Sequence, residues 1–448
     1  MIFMGLRRIK DKVFRRFERV EEIDYAAEKN RILSANRKYL TNYSFDSEPL
    51  VSIIVLNRNG VEYLKILFDD FEKKTNYSNY EIIAVDNASD DESVEYLKSL
   101  DMDITIIENE ENLSFSKANN DAAEIANGEY ILFLNNDIEP TFGWLNEMVG
   151  TMIYNENIGA VGAKLIFPHI QDPKKERRSF SIQHYGGIFR EHVCDQFDYA
   201  ARHQDKFARN IFDEKFQNNK KCIIATAAVF LIRKDTFFEL DRFDESYWYG
   251  FEDVDLNLKL YENGYDVVVA SSALLLHYES VTRKKEKRQN YVVLNDKWGD
   301  FLFRELLNDK IKRNYLLTDK KLCFSFIVKG SAKKFRQPRK IKNAVSYLNS
   351  YGYEAGVIGD SQLNVGRKTD VLVSTTIDYD IDDVEARDNL IRVLLLTDDN
   401  FNKNKCLNYD IIISDKPNDM PNLYPIDNLD DLGENLISIL NSHYLIKK

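Results

Sequence analysis

Cysteine is scarce in this sequence. Its 448 residues contain four cysteines, and none of them stands in a Cys-x-x-Cys motif. Neither a disulfide framework nor a zinc knuckle is therefore indicated, and a reducing, cytoplasmic compartment fits best. The four are Cys194, Cys222, Cys323 and Cys406.

Long apolar runs are absent as well. The longest, IIATAAVFLI at 223–232 and VVVASSALLL at 267–276, reach about half of the roughly 20 residues that a membrane-spanning helix requires. The N-terminus has no apolar signal-peptide core. We therefore expect no membrane-spanning segment.

Positive charge is not in excess. Arginine and lysine total 61 against 73 acidic residues, which gives a formal net charge of -12. A nucleic-acid partner is not expected, because neutralising phosphates requires a positive field over most of a contact surface.

Residues 1–48 form a segment of their own. Within residues 1–20, apolar side chains recur at steps of three and four among many arginines and lysines, which predicts a basic amphipathic helix. Two roles stay open for this helix. It packs on a protein surface, or it lies on an anionic membrane as a peripheral contact.

Two α/β regions follow. In residues 49–312, short runs rich in isoleucine and valine alternate with helix-like segments, which predicts a doubly wound, mostly parallel sheet. Residues 313–448 repeat the alternation over a shorter length and predict a second, smaller Rossmann-like α/β domain of unknown role. Ligands of such sheets bind at the carboxyl ends of the strands.

Polar side chains follow the predicted strands at those ends. In GEYILFLNND the strand runs into Asn135 and Asp137, whose oxygens suit Mg²⁺ or Mn²⁺. Asp86 ends another strand, where a charge is costly unless it binds something. Lys117 and Asn119 stand at the start of the helix that precedes GEYILFLNND, which suits an anionic phosphate.

Three acids crowd the start of a later helix in GFEDVDLNLKL. Glu252, Asp253 and Asp255 lie in its first turn, where the helix dipole favours carboxylates. Simple capping is one interpretation. A functional role is the other, because three acids beside the aromatic residues of the preceding turn exceed what capping requires.

The motifs together resemble the family 2 glycosyltransferases, which have the GT-A fold, and in particular their rhamnosyltransferase-like subgroup. The resemblance covers roughly residues 50–300, with the motifs in the family's order. They are VSIIVLNRNG, VDNASDD, NLSFSKANND, GEYILFLNND, ATAAVFLIRKDTF, FDESYW, GFEDVDLNLKL and LLLHYESVTR.

This resemblance implies roles for single residues. Asp253 would be the catalytic base, with Glu252 beside it, and Asp86 would bind the nucleobase of a UDP- or dTDP-sugar donor. Asp137 and His277, helped by Asn135, would hold a divalent metal, Mn²⁺ or Mg²⁺. The other residues implied in substrate binding are Leu56, Asn57, Arg58, Asn87, Lys117, Asn119, Asn135, Asn136, Trp248 and Asp255.

The sequence departs from the family's pattern in several positions. Asn135 replaces the first acid of the Asp-x-Asp metal motif, which leaves metal dependence open. Ser114 and Ala118 stand where glycines are usual, and Asp241 and Arg242 stand where the family often has two glycines. These changes affect loop geometry.

The expected function is an inverting glycosyltransferase that moves a sugar from a nucleotide-sugar donor to a hydroxyl of a growing glycan or lipid-linked acceptor, in surface polysaccharide biosynthesis. A catalytically silent glycan-binding scaffold stays open as an alternative. A sugar nucleotidyltransferase is a second alternative. Such an enzyme should carry a Gly-rich, Arg-containing loop after the first strand, and the segment LNRNGVEY at that position is not such a loop.

A basic stretch follows His277 and has two interpretations. It closes over the diphosphate through Arg283, Lys284 and Lys285, or it is a solvated run of charge on the surface.

Overall fold

The computed structural model describes residues 24–172, 174–194, 197–278, 287–312, 322–328, 338–359, 369–375, 390–396, 406, 408–415 and 422–445. The chain divides into two compact units. The first comprises Met1–Gly187 and His203–Glu286, and the second comprises Ile188–Arg202 and Lys287–Lys448.

The first unit is built on one large sheet with the strand order β10-β12-β6-β11-β4-β1-β2-β3. Strands β4, β1, β2 and β3 are parallel to one another, as are β6 and β12, whereas β11 runs antiparallel between β4 and β6. Strands are numbered along the whole chain. Those of this sheet are β1 (Val51–Asn57), β2 (Tyr80–Asp86), β3 (Ile104–Glu108), β4 (Tyr130–Asn135), β5 (Ile138–Pro140), β6 (Ile158–Ile166), β7 (Ile182–His184), β10 (Lys220–Cys222), β11 (Val229–Arg233) and β12 (Asp266–His277).

Helices cover this sheet. They are α1 (Tyr25–Asn36), α2 (Val61–Phe68), α3 (Phe71–Thr75), α4 (Ser93–Ser99), α5 (Phe115–Ile125), α6 (Trp144–Tyr154), α7 (Lys234–Glu239) and α8 (Glu252–Glu262). The sequence predicts one helix over 61–74. The structure has two there, because Asp70 adopts a left-handed backbone conformation, with φ of 50°, that ends the first and starts the second.

The sheet is buried on both faces. Val51, Ile53 and Val55 of β1 belong to one hydrophobic cluster, and Ile54 belongs to the cluster on the opposite face. Successive side chains of a strand point to opposite faces. A strand covered on both sides therefore reads as a continuous apolar run, as the sequence of β1 does.

The second unit contains a six-stranded parallel sheet in the order β14-β13-β15-β16-β17-β18. Its first strand lies between its second and third, as in flavodoxin-like doubly wound sheets. The elements are β13 (Cys323–Val328), β14 (Glu354–Gly359), β15 (Val371–Ser374), β16 (Ile391–Leu396), β17 (Ile411–Ser414), β18 (Leu423–Pro425), α9 (Lys287–Lys312), α10 (Arg339–Ser350) and α11 (Leu432–Leu445).

A hairpin of β8 (Gly187–Cys194) and β9 (Phe197–His203) groups largely with the second unit. Tyr199 accepts a hydrogen bond from the Asn295 side chain of α9 and donates its backbone N–H to the same side chain. The fold class expected from the sequence, a mostly parallel α/β sheet followed by a smaller α/β domain, is confirmed. The domain boundaries expected at residues 48 and 312 stay a prediction.

The described part of the N-terminal segment packs on the first unit. Asp24 caps α1, Ile32 enters the hydrophobic core, and the Asn36 side chain donates to the carbonyl of Ser272 at 3.0 Å. Residues 1–20 lie outside the described residues, so their peripheral membrane contact stays a prediction. Across the described ranges, no helix has the length and apolar character needed to cross a bilayer.

Lys164 is a buried cation in β6. Its side chain donates to the carbonyl of Phe216 at 3.2 Å, and the residue is 2% exposed. Burial lowers the pKa of Lys164 to about 8, because removing an ammonium group from water disfavours its charged form.

The pH dependence of stability follows from this buried lysine. The unfolded chain binds the proton with an ordinary pKa of about 10.4, so stability rises with pH between about 8 and 10.4. We expect Lys164→Met to be more stable than the wild type at neutral pH. The difference in unfolding free energy should shrink by about 3 kcal/mol over that window, measured by urea denaturation. The exposed Lys38→Met is the control, and an equal pH dependence in both variants contradicts this prediction.

Candidate functional site

The carboxyl ends of β1, β2 and β4 lie side by side. The parallel register pairs Asn57 with Asp86 and Leu56 with Asn135. Four of the residues expected to bind substrate, Leu56, Asn57, Asp86 and Asn135, are thus adjacent at one edge of the sheet. This is the edge at which doubly wound sheets bind ligands.

Asp86 is buried at this edge, with 3% of its surface exposed. One carboxylate oxygen accepts hydrogen bonds from the Ser89 hydroxyl at 2.6 Å and the Asn57 amide at 3.2 Å, and the other accepts the Ser89 backbone N–H at 2.9 Å. These donors compensate for the burial of the charge. The carboxylate is therefore held in a fixed orientation.

Asn57 and Asn136 close the space between β1 and the loop after β4. The amide of Asn136 donates to Asn57 Oδ1 at 2.6 Å, directly above Gly60. A Cβ at Gly60 would lie 2.2 Å from the Asn136 amide nitrogen and 2.6 Å from Asn57 Oδ1. Glycine leaves room for these two side chains, whereas its φ of -129° would suit any residue. Arg58 directly follows β1 and is exposed.

Asn87 forms hydrogen bonds with neighbouring loops of the protein. It is 4% exposed, its amide donates to the carbonyl of Leu113, and its Oδ1 accepts from the backbone of Leu113 at 2.9 Å and the side chain of Asn109 at 3.0 Å. These bonds tie the segment before α5 to the end of β2. The substrate role expected for Asn87 stays a prediction, and the geometry gives it a structural one.

The start of α5 differs from the expected phosphate site. Ser114 caps the helix, and the Lys117 ammonium pairs with Asp121 one turn later on a partly exposed surface. Asn119 is 1% exposed and donates to the carbonyl of Phe115 at 2.9 Å. Both side chains thus contact their own helix, and their roles in donor binding stay predictions.

Asp137 and His277 lie next to each other where β5 pairs with the end of β12. Strand β5 pairs antiparallel with the end of β12, placing Ile138 opposite His277, and the Tyr278 backbone N–H donates to the Asp137 carbonyl at 3.0 Å. As a result, His277 Nε2 lies 3.2 Å from Asp137 Oδ1. Both side chains are nearly buried, with 12% and 5% exposed.

A brace fixes the strands that carry these two residues. Glu139 is 7% exposed, accepts the Tyr278 hydroxyl at 2.9 Å and pairs with Lys29 of α1 at 2.6 Å. Burial raises the pKa of the Tyr278 hydroxyl, and the Glu139 charge adds to this, so Tyr278 stays protonated and donates. Helix α1 thereby contacts the support of the Asp137–His277 pair.

The donor set fits a divalent cation in part. Asp137 Oδ1 is buried and accepts no hydrogen bond from the described residues. Two ligand atoms of one cation, each bound at about 2.1 Å and at right angles, lie about 3 Å apart, close to the 3.2 Å observed. In the described part of the chain, no three His, Cys, Asp or Glu side chains form a complete metal site. Asn135, at the end of β4, would therefore have to complete the set with its amide oxygen.

The three acids of α8 have different environments. Asp255 is fully buried and lies 3.4 Å from the Lys259 ammonium, and Glu252 is 5% exposed. Asp253 is half-buried, and its carboxylate accepts the backbone N–H of Ala227 at 3.1 Å and that of Val254 at 2.8 Å. Asp253 is therefore the acid of this turn with the most accessible surface. The substrate contact expected for Asp255 stays a prediction, to which full burial gives no support.

A short backbone connection links Asp253 to the strand edge. Ala227, which donates to Asp253, is followed by Ala228, whose carbonyl accepts the Asn135 backbone N–H at 2.9 Å. The turn before β11 therefore holds the α8 carboxylate near the end of β4. Trp248 and Tyr249, just before α8, are 52% and 39% exposed.

Two residues of the site were missed by the sequence interpretation. Gln183 hydrogen-bonds His277 at both ends of its amide, and Tyr247 is buried beside the α8 acids. Burial raises the pKa of Tyr247, and the charges of Asp255, Asp244 and Glu252 add to the shift. No motif marks Gln183, because its contact depends on strand pairing. Arg283, Lys284 and Lys285 lie outside the described residues.

Part of the chain matches a known family model. Residues 52–237 match the family model described as Glycosyl transferase family 2. The O-antigen biosynthesis protein RfbC of Myxococcus xanthus is 29% identical over 255 residues, which are 56% of this chain and 19% of that protein. The uncharacterized protein y4gI of Sinorhizobium fredii is 29% identical over 254 residues, 55% of this chain and 26% of that protein. The chain thus spans about a fifth to a quarter of the length of these relatives.

Solved structures are similar at a lower level. GalNAc-T7, crystallised with UDP, GalNAc and Mn²⁺, is 14% identical with a TM-score of 0.41, covering 58% of this chain and 52% of that chain. Residues 1-349 of S. aureus TarS in complex with UDP-GlcNAc are 16% identical with a TM-score of 0.38, covering 58% of this chain and 66% of that chain.

Gly60→Ala tests the packing of the strand-end asparagines. The new methyl group displaces the Asn136 amide from Asn57, so we expect a loss of about 1–3 kcal/mol in unfolding free energy by urea denaturation. Gly299→Ala is the matched control, since its Cβ meets nothing within 4 Å and alanine favours a helix. Equal stability of Gly60→Ala and the wild type would show that the two asparagines are not packed as described.

Proposed function

We propose that the chain, whose residues 52–237 match the model of glycosyltransferase family 2, is an inverting, nucleotide-sugar-dependent enzyme of that family. The donor is a UDP- or dTDP-sugar, and the acceptor is a hydroxyl of a glycan or lipid-linked glycan. The name of its relative RfbC, an O-antigen biosynthesis protein, supports a role in building surface polysaccharide. The rhamnosyltransferase-like subgroup stays a prediction.

One observation carries the proposal. The half-buried Asp253 carboxylate is held at the start of α8 by Ala227, whose neighbour Ala228 is hydrogen-bonded to Asn135 at the end of β4. The same loop after β4 continues to Asp137, which faces His277. The proposed base and the proposed cation ligands therefore follow neighbouring strand ends, an arrangement that supports transfer between a donor diphosphate and an acceptor hydroxyl.

Different residues of the candidate site would bind the nucleobase and the diphosphate of the donor. Asp86 presents a fixed carboxylate to the N–H groups of a nucleobase, with the backbone of Leu56 and Asn57 beside it. Asp137 and His277, with Asn135, would hold Mn²⁺ or Mg²⁺. That ion supplies positive charge against which the leaving nucleoside diphosphate is stabilised.

Asp253 is the proposed base for the acceptor. The acceptor oxygen forms its bond to the anomeric carbon as the bond from that carbon to the diphosphate oxygen breaks on the opposite face. The hydroxyl proton passes to the Asp253 carboxylate, and the nucleoside diphosphate leaves with the bonding electrons. Two backbone N–H donors and the helix N-terminus stabilise the ionised carboxylate and make it a weak base. A weak base is sufficient, because the acceptor hydroxyl becomes acidic as its bond to the sugar forms. Exposed Trp248 provides a flat face for an acceptor sugar.

The first functional prediction concerns the base. Asp253→Asn retains the shape but removes the proton acceptor, so turnover should fall roughly a hundredfold to ten-thousandfold while the donor Michaelis constant barely changes. Donor-sugar transfer is measured by release of nucleoside diphosphate. Asp255→Asn and Glu252→Gln are the matched variants on the same turn, and circular dichroism checks their folding. Near-wild-type turnover by Asp253→Asn, together with an inactive neighbour variant, would assign the role to that neighbour.

The second concerns the metal. Excess chelator should abolish release of nucleoside diphosphate from a panel of nucleotide sugars, and Mn²⁺ or Mg²⁺ should restore it. Asp137→Asn should remain inactive after metal is added back. Full activity in chelator would make Asp137 a hydrogen-bonding residue instead. No release from any donor would favour the catalytically silent scaffold.

A further inference from the structure

Gln183 is a buried glutamine that contacts His277 with both ends of its amide. The residue is 3% exposed in the short strand β7. Its Nε2 donates to the His277 carbonyl at 3.1 Å, and its Oε1 lies 2.6 Å from His277 Nδ1. The neighbours Ile182 and His184 point to the other face of the strand, because successive side chains alternate.

These two contacts determine the orientation of the amide. A backbone carbonyl only accepts hydrogen bonds, so the amide end facing it must be the NH₂ group. The end facing the imidazole is then the oxygen, which also only accepts. The proton of the neutral His277 ring therefore lies on Nδ1, and Nε2 carries a lone pair.

His277 Nε2 lies close to a carboxylate oxygen. His277 Nε2 is 3.2 Å from Asp137 Oδ1, which accepts no hydrogen bond from the described residues. Two acceptors at this distance repel each other unless a positive charge lies between them. A cation bound by both atoms removes the repulsion and uses the lone pair.

We propose that Gln183 is a positioning residue that holds His277 in the tautomer whose Nε2 binds a divalent cation together with Asp137. This inference rests on the metal site of the proposed function. Gln183 itself binds neither metal nor substrate. Hydrogen bonds from a metal-ligating histidine to an outer partner orient the ring and raise its basicity, and their loss typically weakens metal binding about 10- to 100-fold.

The sheet makes this support rigid. Strand β6 pairs with β7 on one side, joining Leu165 to His184 and Ile166 to Ile182, and with β12 on the other, joining Ile166 to Leu276. Gln183 and His277 are thus fixed by the same strand. A purely packing role for residue 183 would be fulfilled equally by an apolar side chain of similar size.

The tautomer is tested first, in the metal-free protein. Long-range proton–nitrogen NMR of histidine-labelled full-length protein in alkaline buffer, where imidazole is neutral, distinguishes the two tautomers. The His277 signal is assigned with His277→Ala. We expect the Nδ1–H form in the wild type, the same form in Gln183→Glu, whose carboxylate still accepts from Nδ1, and a mixture in Gln183→Leu. An Nε2–H form in the wild type would overturn the inference without any variant.

Metal binding is tested second, by Mn²⁺ electron paramagnetic resonance with UDP present. We expect Gln183→Leu to bind Mn²⁺ about 10- to 100-fold more weakly than the wild type, and Gln183→Glu to stay closer to the wild type. Asp137→Asn is the control for the site itself. If the wild type binds Mn²⁺ and Gln183→Leu binds it with the same affinity, the role of Gln183 is overturned and the metal site stays intact. Absence of Mn²⁺ binding by the wild type overturns the metal site and the inference together.

Discussion

The pairing of β5 with the end of β12 is the constraint on which the candidate site depends. This short antiparallel contact sets Ile138 opposite His277 and so brings Asp137 against an imidazole from a distant part of the chain. Its energetic support is local: the Glu139 carboxylate joins Tyr278 and Lys29 beside the two residues. The buried Glu139 carboxylate is tolerated because its charge is paired with Lys29 and it also accepts the Tyr278 hydroxyl. The strand pairing and this brace together hold the two proposed ligands 3.2 Å apart.

Asparagine side chains also stabilise the candidate site, by linking strand ends and loops. Asn57 and Asn136 join the ends of β1 and β4, whereas Asn87 and Asn120 join loops to the sheet or to α5. An amide both donates and accepts, so one side chain bridges two backbone segments without introducing a charge. Of the acids in the candidate site, Asp86 accepts a hydrogen bond from Asn57, whereas Asp253 is held by the backbone N–H groups of Ala227 and Val254. Neutral hydrogen bonds thus orient these two carboxylates.

The elements of the fold could be predicted from the sequence because they depend on local pattern. The runs that became β1, β2, β3 and β4 are continuous and apolar, and their ends carry the polar residues that a doubly wound sheet places at its ligand edge. Interruptions such as the left-handed Asp70 between α2 and α3 escaped prediction, because hydrophobic periodicity continues through them.

The site could be predicted only in part. Motifs indicated Asp137, His277 and Asp253 as single residues, but not that Asp255 would be buried against Lys259 or that Lys117 would pair with Asp121. Gln183 could not be predicted at all. Its contact with His277 arises from two strands that both pair with β6, and strand order is set by packing over the whole sheet.

The central claim is that Asp137 and His277 form one cation site at the edge that binds the donor. A crystal structure of the protein with Mn²⁺ and UDP, with anomalous data collected at the manganese edge, tests it most directly. The account predicts one manganese peak bound by Asp137 Oδ1 and His277 Nε2, with the diphosphate beside it. UDP bound at this edge with no manganese between these two side chains would contradict it.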